Sequence, residues 1–186
     1  MKHTVREELH GILAFVGVVW GVFLLDLLVP WDFHTLGLYP RTLHGLVGIL
    51  AMPVLHANLQ HLIGNTVPLF VLLALLAGSK ARSWQIVAVI VLLSGILLWV
   101  FGRPAIHIGA SGLIFGLAAF LVVSGFLEKR PLPLAIAVLV VFLYGGSLLT
   151  GVVPRLGSQV SWDGHLAGLI AGGAVAYGLT REPQEK

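Results

Sequence analysis

Ser111 stands among glycines in Gly109-Ala110-Ser111-Gly112, where a short polar loop, Gly102 to Ile108, runs into the apolar stretch Leu113 to Leu127. Two other stretches bring polar groups into hydrocarbon at comparable depth: His61-Leu62-Ile63-Gly64-Asn65 and Asp163-Gly164-His165-Leu166-Ala167-Gly168. Imidazoles and carboxamides are expensive to keep in lipid-spanning helices and mark sites of function. A serine hydroxyl is a poor nucleophile until a base within hydrogen-bond reach takes its proton, and histidine has the pKa for that task. Acyl transfer also needs donors aimed at the developing oxyanion, which His61, Asn65 and the Ser111 backbone amide can present. These residue types point to a serine nucleophile inside a membrane, with His165 as its base and no cofactor or metal.

The elements that must hold these groups are membrane helices. Of 186 residues, 58% are hydrophobic and 10% charged, against roughly 25% charged in a soluble domain, so an all-α integral membrane protein is expected. The net charge of +3 does not call for a nucleic-acid partner, because the bases cluster in short loops between apolar runs and so report orientation. The absence of cysteine excludes disulfides, thiolate zinc sites and a cysteine nucleophile.

Met1 to His10 reads as a polar tail. Gly11 to Val29, interrupted by Asp26, reads as a first span and not as a signal peptide, since no small-residue cleavage site follows it. Residues 30–54 form a long connection holding Trp31, Asp32, His34, Tyr39, Arg41 and His44. It is too polar at its start to span and apolar enough after Thr42 to lie at the interface or re-enter. Five further spans are expected: Leu55 or Ala57 to Ala77, Trp84 to Phe101, Ser111 to Leu127, Leu134 to Leu149 and Trp162 to Leu179. Gly78-Ser79-Lys80, Gly102-Arg103-Pro104, Glu128-Lys129-Arg130-Pro131 and the loop from Gly151 to Ser158 separate them. The organisation is thus a tail over 1–10, a six-helix membrane domain over 11–180 and a tail over 181–186.

Lys2, Arg6, Lys80, Arg82, Lys129, Arg130, Arg181 and Lys186 fall on the side of the tails, and Arg41, Arg103 and Arg155 on the other. Both termini are therefore expected in the cytoplasm. The second, fourth and sixth spans then begin at the outer face, where His61, Ser111 and His165 can meet. His61 and Asn65 share a helix face; so do Ser111, Phe115 and Ala118, and so do His165, Gly168 and Gly172. Gly112-x-x-x-Gly116 and Gly168-x-x-x-Gly172 are patterns that let membrane helices approach closely, which would carry His165 toward Ser111. His56, five residues before His61, lies about 500° around a helix of 3.6 residues per turn, off the His61 face, which favours a structural role. Asp163 points about 200° away from His165, so a Ser-His dyad is expected in place of a triad. Asp26, near a helix end, is expected to reach interfacial water or a loop donor. His34, His44 and His107 lie in loops and receive no site assignment.

Taken together, His56-Ala57-Asn58-Leu59-Gln60-His61-Leu62-Ile63-Gly64-Asn65, Gly109-Ala110-Ser111-Gly112 and Gly164-His165-Leu166-Ala167-Gly168-Leu169-Ile170-Ala171-Gly172 fall in that order on spans two, four and six. From about Leu55 to Leu179 the chain resembles the rhomboid intramembrane serine proteases. The resemblance implies a six-transmembrane-helix rhomboid-like bundle in a minimal form, with Ser111 as nucleophile and His165 as general base. It further implies an oxyanion site from His61, Asn65 and the Ser111 amide, with Gly109, Gly112, Gly168, Gly172, Phe115 and His56 in support. Its substrates would be single-span membrane proteins, cut near the outer boundary of the bilayer. Phe115 occupies the position where members often carry a tyrosine stacked on the catalytic imidazole; a phenyl ring stacks but has no hydroxyl. The Trp-Arg pair of many members' first loop is missing, which leaves Arg41 without an assigned role. No targeting peptide is evident, and a prokaryotic plasma membrane is the expected location.

Other classes fit less well. A transporter lines a path across the full bilayer, often with broken helices near mid-depth, whereas the cytoplasmic halves of spans two, four and six are nearly all apolar. A silent relative that only binds membrane helices would be expected to have lost the serine or the histidine. His56-x-x-x-x-His61 is not the His-Glu-x-x-His of zinc proteases, and no glutamate lies in any expected span. A lone serine in Gly-Ala-Ser-Gly could be a packing residue; its register with His165 and His61-x-x-x-Asn65 argues otherwise. The fifth span, with few small residues over Leu134 to Leu143, is expected to pack loosely and serve as a lateral gate.

Overall fold

The computed structural model describes residues 5–154 and 160–181. Six long helices follow one another: α1 (Val5–Leu28), α2 (Leu59–Ser79), α3 (Ser83–Phe101), α4 (Ser111–Glu128), α5 (Pro131–Gly151) and α6 (Trp162–Arg181). A one-turn helix, Gly48–Ala51, sits in the first connection, and no strand occurs among the described residues beyond an isolated bridge between Leu38 and His107. Helices α1 to α5 are long and apolar enough to cross a membrane, so the chain is an integral membrane protein. At 20 residues, α6 reaches the ~30 Å that a span requires. It is less apolar than the others because glycines 164, 168, 172, 173 and 178 line it and one side packs on α3 and α4.

Helix α4 is the central post: 67% of its most apolar window is buried, against 17% for α1. Leu113, Leu117, Phe120 and Leu121 of α4 meet Leu69, Leu72 and Leu76 of α2, Ile90 of α3 and Val140 of α5 in one core. Along the glycines its contact with α6 is backbone against backbone. A Cβ on Gly168 would run into the Gly112 carbonyl and one on Gly172 into the Gly116 carbonyl, while a Cβ on Gly116 would lie 3.2 Å from the Gly168 carbonyl oxygen. The two small-x-x-x-small patterns therefore face each other, as close helix approach in a membrane requires.

Several boundaries differ from the sequence expectation. α1 begins at Val5, which shortens the tail and places Glu7 and Glu8 in the first turn, where carboxylates favour the helix dipole. Glu8 is buried and accepts a 2.8 Å hydrogen bond from Ser83 at the head of α3, so a glutamate does lie within a helix. α2 begins only at Leu59, because the Asn58 side chain caps it by accepting the His61 N–H at 2.9 Å. α5 begins at Pro131, whose fixed φ suits a first helical position. Lys2, Arg155, Lys186 and most of the 181–186 tail lie outside the described residues.

The first connection folds into short turns that expose Leu43, Leu46, Val47 and Leu50, an i, i+3, i+4, i+7 row suited to an interface. It is fastened to the end of α3. Arg41 donates to the carbonyls of Val100 and Gly102 at 3.1 and 2.8 Å, and Trp99 Nε1 donates to Thr42 at 2.8 Å. A cation on the last carbonyls of a helix meets the negative end of its dipole, which is the structural role of Arg41. Asp26 accepts the Phe33 N–H at 3.0 Å, a loop donor of the kind expected for it.

The fifth helix is divided. Its first half packs closely: Pro133, Ile136, Ala137 and Val140 are buried, and a Cβ on Gly125 of α4 would lie 2.6 Å from Ala137 Cβ. Its second half reaches the core through Tyr144 and Leu148, with Phe142 83% and Leu149 74% exposed. The loose stretch is thus 141–150, overlapping only the end of the 134–143 singled out from sequence, because Gly125 lets the first half dock.

Candidate active site

Ser111 is the first residue of α4, so its backbone N–H has no intrahelical partner and is free to donate. The turn before it depends on Gly109, which has φ +113°. A Cβ there would also lie 2.6 Å from both Cε1 and Nε2 of His61 and 3.5 Å from Asn65 Nδ2. Glycine is needed twice over, for the left-handed backbone and for the close approach of the His61 ring. The Gly109 N–H donates to the Met52 carbonyl at 2.9 Å, tying this turn to the first connection. Ser111 is partly buried, and its hydroxyl makes no hydrogen bond among the described residues.

His165 lies on the first turn of α6, across the glycine seam from Ser111; a Cβ on Gly112 would lie 3.3 Å from the Gly164 carbonyl oxygen. Its ring stacks on Phe115, with centroids 4.0 Å apart and planes 11° from parallel. Its Nδ1 is 2.9 Å from the Gly151 carbonyl oxygen at the end of α5. A carbonyl can only accept, so Nδ1 carries the proton and Nε2 of the neutral ring keeps a lone pair. That is the tautomer a general base toward a serine needs. Asp163 turns away, and its carboxylate accepts the Arg103 N–H at 3.0 Å.

Beside this pair, Asn65 Nδ2 lies 3.0 Å from His56 Nε2, and the Ala110 N–H points at the same nitrogen from 3.5 Å. A backbone N–H can only donate, so His56 Nε2 is an acceptor and Asn65 turns its amide nitrogen toward it. The His56 and His61 rings meet edge to face at 5.0 Å. Burial and the adjacent His61 push the His56 pKa down to about 4, with the Val54 carbonyl opposing in part, so this imidazole is neutral near pH 7. His56 therefore lies against Asn65, where a helix continued back to about Leu55 would have turned it off the His61 face; it precedes the Asn58 cap and folds back over Asn65. The usable signal was Asn58, a capping residue type three positions before His61.

The family model for the rhomboid domain matches residues 44–182, which takes in all three polar stretches. The chain belongs to the rhomboid family. An uncharacterized protein of Mycobacterium tuberculosis is 43% identical to this rhomboid over 185 residues, covering 94% of the chain and 76% of its own length. One from Mycobacterium leprae is 42% identical, covering 94% and 72%. A protein of Acanthamoeba polyphaga mimivirus that is named as a rhomboid protein is 30% identical over 135 residues, covering 68% and 71%.

Two features of the rhomboid site were not foreseen. The Gly151 carbonyl holds His165, and a Cβ on Gly151 would lie 2.5 Å from Phe115 Cζ and 3.1 Å from His165 Nδ1. Being a backbone contact, it leaves no side-chain trace in the sequence. The second is a polar cluster between the loop before Ser111 and the head of α6, in which His107 and Asp163 are buried and Arg103 and Ser161 partly exposed. His107, a loop residue with no assignment, is 2% exposed, and burial pushes its pKa down.

Proposed function

We propose that this rhomboid is an intramembrane serine endopeptidase using Ser111 as nucleophile and His165 as general base. The observation that carries the reading is the fixed tautomer of His165, clamped by Phe115 and the Gly151 carbonyl, across the glycine seam from a serine whose hydroxyl is not engaged by any described residue. Catalytic hydrogen bonds often close only when substrate is bound. Ser111 Oγ attacks the peptide carbonyl carbon while His165 Nε2 takes its proton. The Ser111 N–H, His61 and Asn65 hold the resulting oxyanion, and His56, bonded to Asn65, fixes the orientation of that amide. The C–N bond then breaks as His165 returns the proton to the leaving amine. Water attacks the acyl ester, giving its proton to His165, which passes it back to Ser111 Oγ as the acid leaves.

The charge balance supports cytoplasmic termini and a site that opens outward; the lack of an evident targeting peptide favours a prokaryotic plasma membrane. A substrate helix hides its carbonyls in its own hydrogen bonds, so cleavage requires local unwinding. Single-span substrates with glycine, proline or small polar residues near their outer boundary meet that need, and the outer half of α5 is the element that can move aside to admit them.

The test is cleavage of a single-span substrate by purified protein in detergent. Wild-type protein should cut; Ser111→Ala and His165→Ala should reduce cutting to background. Asn65→Ala should lower kcat by about 10²–10³-fold, the usual effect of losing one oxyanion donor. Cleavage that survives Ser111→Ala overturns the serine mechanism.

A further inference from the structure

The loop that delivers Ser111 and the helix that delivers His165 are joined a second time, outside the glycine seam. Asp163 accepts the Arg103 N–H at 3.0 Å and Arg103 Nε at 3.3 Å. Arg103 Nη2 donates to the Val160 carbonyl at 2.7 Å, and its guanidinium lies 5.9 Å from the Trp162 ring centroid. His107 Nδ1 is 2.7 Å from Ser161 Oγ, and His107 Nε2 is 3.2 Å from the Arg103 carbonyl oxygen and 3.7 Å from Asp163 Oδ2. Ser161 Oγ lies 3.2 Å from Asp163 Oδ1 and caps α6 by accepting the Gly164 N–H at 3.2 Å. On its far side His107 exchanges backbone hydrogen bonds with Leu38 of the first connection.

The glycine seam sets how near α4 and α6 come, but glycines present no side chains that would stop one helix sliding along the other. The polar cluster supplies that stop. It ties residues 103 and 107, which precede Ser111 in one loop, to residues 161 and 163, which precede His165 on one turn. Asp163 and His107 are 9% and 2% exposed, while Arg103 reaches Asp163 from the rim, and setting register is the best-attested use of buried polar pairs.

We infer that Asp163, acting through Arg103 and His107, is a positioning residue that fixes the axial register of His165 against Ser111. The inference rests on the protease reading above. A misplacement of about 1 Å costs about 10²-fold in rate, and that is the loss the cluster prevents.

The experiment is steady-state cleavage of a soluble, unstructured peptide, well below the melting temperature of every variant. Asp163→Ala should lower kcat about 10²-fold and leave KM within about twofold, the mark of an interaction realised in the transition state. Asp163→Asn, which keeps an acceptor but loses the charge, should fall between, and Arg103→Gln should match it. The Asp163→Asn/Arg103→Gln double variant should be no worse than either single one. Lys80→Gln breaks the Lys80–Glu128 ion pair at the other end of the bundle and should lower the melting temperature while kcat stays put.

An Asp163→Ala or Asp163→Asn enzyme with wild-type kcat, or single effects that simply add, overturns the inference. If Asp163→Ala does not fold, the Asn and Arg103 variants decide. A wild type that cuts nothing overturns the protease reading instead. In that case spin labels on Ile106→Cys and Ile170→Cys, both exposed sites in a cysteine-free chain, still decide the register. The distance distribution should broaden in Asp163→Asn, and an unchanged distribution overturns the inference.

Discussion

The seam between α4 and α6 and the second half of α5 flank the same imidazole and are built in opposite ways. At the seam, Gly112, Gly116, Gly168 and Gly172 bring two backbones together so closely that no Cβ fits at positions 168 and 172. Along α5 from Val141 to Thr150, large side chains point outward and Gly146 has nothing within 4 Å of where a Cβ would stand. Under the proposed protease function, the difference separates two needs. The reacting groups must keep a fixed spacing, which the seam would provide, and a substrate helix must find a way in, which a weakly held helix would provide. The two regions are nevertheless connected, because α5 ends at Gly151, whose carbonyl holds His165.

The strongest way to break this contrast is at the seam. Gly172→Leu would force a side chain into the Gly116 carbonyl; overpacking costs about 1–3 kcal/mol and occasionally more, and a backbone neighbour cannot give way. Thermal melting should show a clear loss of fold, and cleavage should drop to background. Gly146→Ala, by the same assays, should leave activity unchanged and raise stability slightly, since alanine is favoured over glycine by about 0.8–1 kcal/mol in a helix. Equal effects at the two positions would erase the distinction.

A smaller effect sharpens the other side. A disulfide joining the outer parts of α2 and α5 should block cleavage of a single-span substrate by about tenfold or more while sparing a short soluble peptide, because only the former needs the lateral opening. Unchanged cleavage of the membrane substrate would remove α5 from the entry route.

The smallest expected effect is on acid stability of the tightly built region. His56 stays neutral in the folded protein down to about pH 4, against an ordinary value of 6.5. The unfolded chain binds this proton first, so the stabilising contribution is whole above pH 6.5 and is lost progressively as pH falls toward 4. Burial lowers the His107 pKa too, adding a slope of the same sign. Melting temperature should fall across that window and fall less in His56→Gln; an identical slope in that variant would contradict the assignment.

Much of this was legible in the sequence because side-chain spacing carries it. Glycines four apart predicted the seam and the 200° offset predicted that Asp163 would turn away from His165, while the stack of Phe115 was implied by the resemblance to rhomboids. What was missed has physical reasons. Gly151 acts through its carbonyl, which every residue possesses. His56 was misplaced because an apolar run was extended backward through a cap. The head of α1 was trimmed because Glu7 and Glu8 look like a tail until Ser83 is seen to donate to Glu8. Arg103 and His107 find Asp163 and Ser161 more than fifty residues away, a pairing that no local pattern announces.

The most direct test of the central claim, that His165 makes Ser111 nucleophilic, is reaction of the detergent-purified protein with a fluorophosphonate, followed by mapping of the modified residue by mass spectrometry. The account predicts a single adduct on Ser111 that forms in wild type and is absent in His165→Ala. An adduct elsewhere, or labelling of Ser111 at an undiminished rate without His165, would contradict it.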